Sequence, residues 1–268
     1  IQSVIDGIVL GRFVGANALA SVNLILPCYS LISAFAIVMG IGGQTIVSIS
    51  LGKGDKQEAN NALRSVFLFL IAMSLAVSLL IYLFAGEIAS FLGANAVLQG
   101  DAVGYIRALV PFFPFLCTMF FGDYIIKAMG HPLYATSVMG TTVILNIILD
   151  LVFVAILGWG VMGAGLATGI AFTIGACLNV PRLFSCHEVV AVQRGRYNWR
   201  LVWNAFYNGS SEGMSELSVA ITVFLFNITM MKYLGESGVA AFTAINYILF
   251  IGTTIFLGIS DGIIPIIG

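Results

Sequence analysis

An acidic residue at the centre of a long apolar run costs about 2.5–3.5 kcal/mol to place in a membrane. Each one therefore points to a task. Asp150 stands in the stretch TVILNIILDLVF with Asn146 four residues before it, which sets an amide and a carboxylate on one face of a helix. Such a pair offers hard oxygen ligands suited to a small cation. The same carboxyl, taken out of water, could instead carry a proton. Asp6 and Asp123 also lie within or beside apolar runs, and acids so placed ordinarily face a bundle interior, where they line a pathway or bind an ion. Thr168, in the small-residue run Gly163–Gly169, can add a hydroxyl from a further helix. The plainer reading of all these groups is a hydrogen bond between helices.

Other polar residues carry less. Glu212 and Glu216 share a helix face at i and i+4, either as solvated charges near a helix start or as cavity-lining groups that attract cationic substrates. Asp261 is open to the same two readings. Asp123 and Lys127 are spaced for an ion pair, whereas His131 and His187 fall in loops with no evident partner. Cys28, Cys117, Cys177 and Cys186 are far apart and form no CxxC pair, so neither a disulfide framework nor a cysteine metal site is expected. Gly52–Asp55 (GKGD) is too short for a phosphate-binding loop and reads as a turn. With no HExxH motif and no nucleotide motif, the chain is not expected to be an enzyme or an ATP-driven machine.

The elements that must position these residues follow from composition. Apolar residues make up 60% of the 268 and charged residues 9%, against about 45–50% and about 25% in a soluble domain. Runs of this length are helices, since an open sheet cannot span lipid and a transmembrane barrel would alternate over about 10 residues. About eight spans are expected: 1–10, 18–51, 61–85, 102–129, 133–157, 161–184, 201–234 and 239–267. If the first span leaves the cytoplasm, Lys53, Lys56, Arg64, Lys127, Arg182, Arg194, Arg196 and Arg200 fall inside, against Arg12, Arg107 and Lys232 outside. That bias fits the positive-inside rule. The longest polar stretch, Ser185–Arg200, divides two weakly self-similar regions in which Gly15/Gly235, Ala20/Ala240 and Ile25/Ile245 are identical. Parallel repeats of this kind are common in secondary transporters. The net charge of −1, without a basic block, gives no reason to expect nucleic acid. Both chain ends are apolar and look cut, so the chain reads as part of a longer protein.

Several segments, in order, resemble the MATE (multidrug and toxic compound extrusion) transporters, in particular their bacterial DinF-like and MepA-like branches. They are Asp6–Gly15 (DGIVLGRFVG), Gly40–Gln44 (GIGGQ), Gly52–Asp55, Gly130–Pro132 (GHP), Asn146–Asp150 (NIILD), Gly158–Ala164 (GWGVMGA), Asn208–Glu212 (NGSSE) and Gly258–Pro265 (GISDGIIP). The resemblance implies an all-α protein of twelve helices in two six-helix lobes that alternates access to a central cavity. It implies export of organic cations and other amphipathic compounds in exchange for Na⁺ or H⁺, with no cofactor beyond that ion. On this template residues 1–184 are the first lobe with its first helix cut short, 185–200 the cytoplasmic linker, and 201–268 helices seven and eight of the second lobe. Asp6, Asn146, Asp150 and Thr168 match the positions of a first-lobe cation site. Another branch carries an acid in helix seven ten residues beyond the helix-start glycine, and here that position is Val219, so that site is absent. The expected setting is the plasma (inner) membrane, with the protein multi-pass and acting as a monomer. The rival readings are a flippase of lipid-linked saccharides, which would need cationic residues in its cavity, and a membrane receptor or structural protein.

Overall fold

The computed structural model describes the backbone of residues 2–185 and 187–267, and the side chains of these except 2–4, 216, 254 and 257–267. Every regular element among the described residues is helical. That is the outcome hydropathy demands, because lipid cannot hydrogen-bond a peptide group and a helix satisfies its own. The order is α1 (Gln2–Phe13), α2 (Ala16–Gly52), α3 (Lys56–Leu83), α4 (Ala85–Phe91), α5 (Gln99–Leu109), α6 (Phe113–Ala128), α7 (Pro132–Asp150), α8 (Gly160–Leu183) and α9 (Trp199–Ile267).

Six stretches among the described residues are long and apolar enough to cross a membrane: α2, α3, Gln99–Ala128, Pro132–Ile156, α8 and Trp199–Thr253. The expected count of about eight differs for two reasons. The first span, α1, is only 12 residues long. The seventh and eighth lie within α9 as two helical arms that meet at a kink at Gly235 (φ 64°, ψ −154°), where the chain turns back. Phe226 and Phe242 stack across this reversal with ring centroids 4.9 Å apart, whereas sixteen residues of straight helix would part them by about 24 Å. Only glycine adopts that backbone readily. Its counterpart in the internal similarity, Gly15, also has a positive φ (124°) where α1 gives way to α2. The GKGD segment is a turn as expected: Gly54 has φ 78°, and the Asp55 side chain caps α3 by accepting the Glu58 N–H at 2.9 Å.

Prolines redirect hydrogen bonds as well as bending helices. Pro27 cannot donate to the Asn23 carbonyl one turn back. That oxygen accepts instead from the Asn227 amide of α9 at 3.0 Å, while the Asn23 amide donates to Asn227 Oδ1 at 2.9 Å. Pro114 likewise withholds an N–H from the Val110 carbonyl, which receives the Ser78 hydroxyl of α3 at 2.6 Å. A 3₁₀ turn, Val110–Phe112, carries α5 into α6 at this point.

α2 and the first arm of α9 run antiparallel. Asn23 meets Asn227 at one end, and at the other Gly42 backs onto Ala205 and Gly209 onto Val38. A Cβ at Gly209 would stand 2.0 Å from the Val38 carbonyl oxygen, and one at Gly42 1.8 Å from that of Ala205. The backbones touch because no side chain separates them.

The polar stretch between α8 and α9 is docked rather than loose. Asn60 accepts the Ala191 N–H at 2.8 Å, Asn61 that of Arg196 at 2.6 Å and Ser65 that of Asn198 at 2.8 Å. The buried Glu188 accepts from Arg182 and from the His131 ring, the latter at 3.0 Å. His131 therefore has a partner that its place in the sequence did not disclose, because the carboxylate arrives from 57 residues away. Burial alone would raise the Glu188 carboxyl, but the hydrogen bonds from Arg182 and His131 outweigh it and hold the group below its ordinary value. Its contribution to docking is thus complete above the ordinary carboxylate range and is lost as pH falls through the lower, folded value. Asn60→Leu should release the linker, and trypsin should then cut after Arg194 or Arg196 at least about tenfold faster, since opening that costs about 1.4 kcal/mol less is ten times more populated. Unchanged cleavage would show that Asn60 does not hold the segment.

Candidate functional site

Three helices bring the polar residues of the apolar runs to one place. α7 carries Asn146 and Asp150 on one face, α8 carries Thr168 opposite, and α1 lays Asp6 across both. Asn146 and Asp150 have no exposed surface, and Asp6 and Thr168 have very little. The Asn146 amide donates to Thr168 Oγ1 at 3.1 Å, and the Thr168 hydroxyl faces Asp6 Oδ2 at 3.5 Å. The Asp6 and Asp150 carboxyls stand near enough to act on one another.

The acceptors outnumber the donors. Asp6 Oδ1, Asn146 Oδ1 and both oxygens of Asp150 are buried with no hydrogen-bond partner among the described residues. No Lys or Arg among the described residues pairs with either acid, since the ion pairs there are Lys127–Asp123 (2.7 Å), His131–Glu188 and Arg182–Glu188. Two neighbouring buried carboxyls without a basic partner carry charge that something must balance. A cation or a proton held between them would do so, and the unpaired oxygens are where it would sit.

The helix around the site is specialised too. Asp150 is the last α-helical residue before a π-helical stretch, Leu151–Ile156. There the Leu157 N–H reaches back to the Val152 carbonyl at 2.9 Å. A π turn widens the helix and often marks a functional position. Beside Asp6 lies a small cavity of about 20 Å³, lined by Val22, Leu26, Tyr29, Tyr105, Thr168 and Tyr247 besides Asp6 itself. It holds about one water-sized occupant. A larger cavity of about 200 Å³ opens between α2, α6 and α9, with Ser30, Ser33, Phe120, Asn246 and Phe250 on its walls.

The other expected site residues fare differently. Glu212 is exposed, and it is not on the wall of either cavity. The side chains of Glu216 and Asp261 lie outside the described residues. Asp123 forms the expected ion pair with Lys127. Cys28, Cys117 and Cys177 are free thiols, and among the described residues no three His, Cys, Asp or Glu side chains cluster as a metal centre would require. Sequence reasoning missed the tyrosines, Tyr29, Tyr105 and Tyr247, that wall the Asp6 cavity. A hydroxyl-bearing ring in an apolar run was the available signal, but eight of the nine tyrosines share it, and only the tertiary packing selects these three.

Comparison with known proteins places this arrangement. The curated relatives include multidrug export protein MepA of Staphylococcus aureus (strain MSSA476), 24% identical over 271 residues that span 99% of this chain and 60% of the relative. MepA of Staphylococcus haemolyticus (strain JCSC1435) matches to the same extent. The chain thus spans about 60% of the length of the curated relatives it matches. Among solved structures, an inward-facing multidrug resistance MATE family transporter of the MOP superfamily superposes with a TM-score of 0.85 at 25% identity, covering 95% of this chain and 59% of that one. The MATE multidrug transporter DinF-BH, solved as a complex, gives a TM-score of 0.85 at 24% identity over 100% of this chain and 60% of that one, a likeness of fold. The family model described as MatE matches residues 1–152, more than half of the 268. With its apolar helices, its buried acids and this match, the chain is a multi-pass membrane protein that belongs to the MATE family.

Proposed function

We propose that this chain forms part of an ion-coupled antiporter that exports organic cations by alternating access, with Asp6, Asn146, Asp150 and Thr168 as its coupling site. The observation that carries this reading is the set of buried carboxyl and amide oxygens left without donors or basic partners among the described residues. In the proposed cycle the outward-open state takes Na⁺ or H⁺ between Asp6 and Asp150. Neutralising the pair changes how α1, α7 and α8 pack, and substrate leaves outward. The ion drives this step only so far as it binds the two conformations unequally. α1–α8 would act as the first lobe, residues 185–200 as the linker on the cytoplasmic side, and the two arms of α9 as the start of the second lobe. The substrate would occupy the cavity between α2, α6 and α9, whose serine, asparagine and aromatic walls suit an amphipathic molecule. Among the described residues no Lys or Arg lines it, which disfavours a flippase that must hold pyrophosphate. The protein would work as a monomer in the plasma membrane, as a transporter and not an enzyme.

Efflux of a fluorescent organic cation from cells expressing the whole gene product, with external Na⁺ and pH varied independently, tests the reading. Efflux should rise with one of the two gradients and stop when that gradient is collapsed. Efflux indifferent to both would end the proposal. Within the site, Thr168→Val removes the hydroxyl that bridges Asn146 and Asp6. It should weaken ion dependence by up to about tenfold, the equivalent of one hydrogen bond of about 0.5–1.5 kcal/mol, measured as the shift in half-saturating ion concentration.

A further inference from the structure

Resting on the antiport reading, a second observation bears on how ion and substrate sense one another. Tyr247, on the second arm of α9, lays its ring across α1 next to Asp6. The place where a Cβ would stand on Gly7 is 2.2 Å from Tyr247 Cε2 and 2.4 Å from its Oη. The ring therefore fills the space that the missing side chain leaves. Leu26, Tyr29 and Tyr247 are walls of both the 20 Å³ cavity beside Asp6 and the 200 Å³ cavity between α2, α6 and α9. Of these three, only Tyr247 belongs to α9. Next to it, Asn246 places a buried amide nitrogen with no hydrogen-bond partner among the described residues on the wall of the larger cavity.

The geometry points to Tyr247 as the positioning residue that couples the two cavities: its ring, seated over Gly7, is a partition whose place depends on how α9 lies against α1. When α9 moves away from α1, the ring withdraws and the two cavities join. An ion at Asp6 favours the ring seated and a substrate in the larger cavity favours it withdrawn, so each weakens the other's binding through the ring. With the ring seated, each is closed off from the other. A wedge of this kind converts the position of a helix into access without touching the ion. It also accounts for glycine at position 7, since an added methyl group there must push the ring out. A ring on two rotatable bonds can yield, and the α1 backbone need not.

The test is linkage between two ligands, measured on the purified whole protein. Ethidium is the substrate probe, and Na⁺ or H⁺, whichever drives wild-type efflux, is the ion. In the wild type a saturating ion should weaken ethidium binding by a factor in the usual coupling range of about 5–150. In Tyr247→Ala both the ion and ethidium should still bind, while the coupling factor falls to near one. Tyr247→Phe, which keeps the ring, should restore it. Gly7→Ala should also lose coupling, and Gly7→Ala combined with Tyr247→Ala should be no worse than either, because both act on one ring. Wild-type coupling in Tyr247→Ala overturns the assignment, as does loss of ion binding in that variant or independent, multiplying effects of the two substitutions. Asp150→Asn is the control that separates the two ideas. If it leaves ion binding and coupling intact, the coupling site itself is wrong, whatever Tyr247 does.

Discussion

Asp150→Asn should cut ion-driven efflux by about tenfold or more and leave the protein at least as stable as before. The amide keeps the volume and hydrogen-bonding shape of the carboxyl, so α7 has no steric reason to shift. What it removes is charge. Asp150 is fully buried, neither of its oxygens has a donor among the described residues, and its acidic neighbour is Asp6. A neutral side chain relieves the repulsion in that pair and no longer draws a cation to it. Ion-dependent transport should therefore fall by about tenfold or more, the consequence of losing about 1.4 kcal/mol of ion affinity for one conformation over the other. The apparent melting temperature in detergent should stay level or rise. Efflux at the wild-type rate with wild-type ion dependence would remove Asp150 from the mechanism. A steep drop in melting temperature would instead give it a structural role.

Gly209→Val should damage the protein in the opposite way, through packing alone. The first added carbon would meet the Val38 carbonyl oxygen at 2.0 Å, and that atom is backbone, not the end of a side chain. No rotamer change relieves the contact, so α2 and α9 must separate along the seam that also includes Gly42 and Ala205. Overpacking of this kind costs about 1–3 kcal/mol and occasionally more. The apparent melting temperature should fall by roughly 5–10 °C, at about 2–4 °C per kcal/mol for a protein of this size. Gly140→Ala is the matched control. It lies mid-helix on α7, exposed, with nothing within 4 Å of an added Cβ. There the lower chain entropy of alanine should leave stability unchanged or about 0.5–1 kcal/mol higher. Equal losses from both substitutions would show that glycine content, not the close approach, sets the effect.

Much of the fold was legible in the sequence because hydropathy and backbone hydrogen bonding allow few alternatives. Asn146 and Asp150 stood out by helical spacing, and Asp6 by the cost of an acid in an apolar run. Their meeting was not written in that spacing. Asp6 and the Thr168 hydroxyl that faces it are 162 residues apart in the chain, and only tertiary packing joins them. The π turn after Asp150 was hidden because LVFVAI is as good an α-helix as any apolar stretch. The linker looked like a solvated loop because its partners, Asn60, Asn61 and Ser65, lie more than 130 residues earlier. Short α4 was missed for a different reason: its seven residues carry too little periodicity to distinguish it from the end of α3.

Pro27 gives the contact between α2 and α9 an unusual dependence. The Asn23 carbonyl that Asn227 engages is vacant for it only because a ring nitrogen stands one turn away. Pro27→Ala would return that oxygen to its own helix, where it is satisfied whether α9 is near or far. The closed arrangement would then lose the advantage of about one hydrogen bond, about 1 kcal/mol, over an opened one. A substitution that straightens and strengthens the helix would in this way loosen its hold on its neighbour. Selection for a stiffer α2 and selection for a tighter clasp pull on this position in opposite directions.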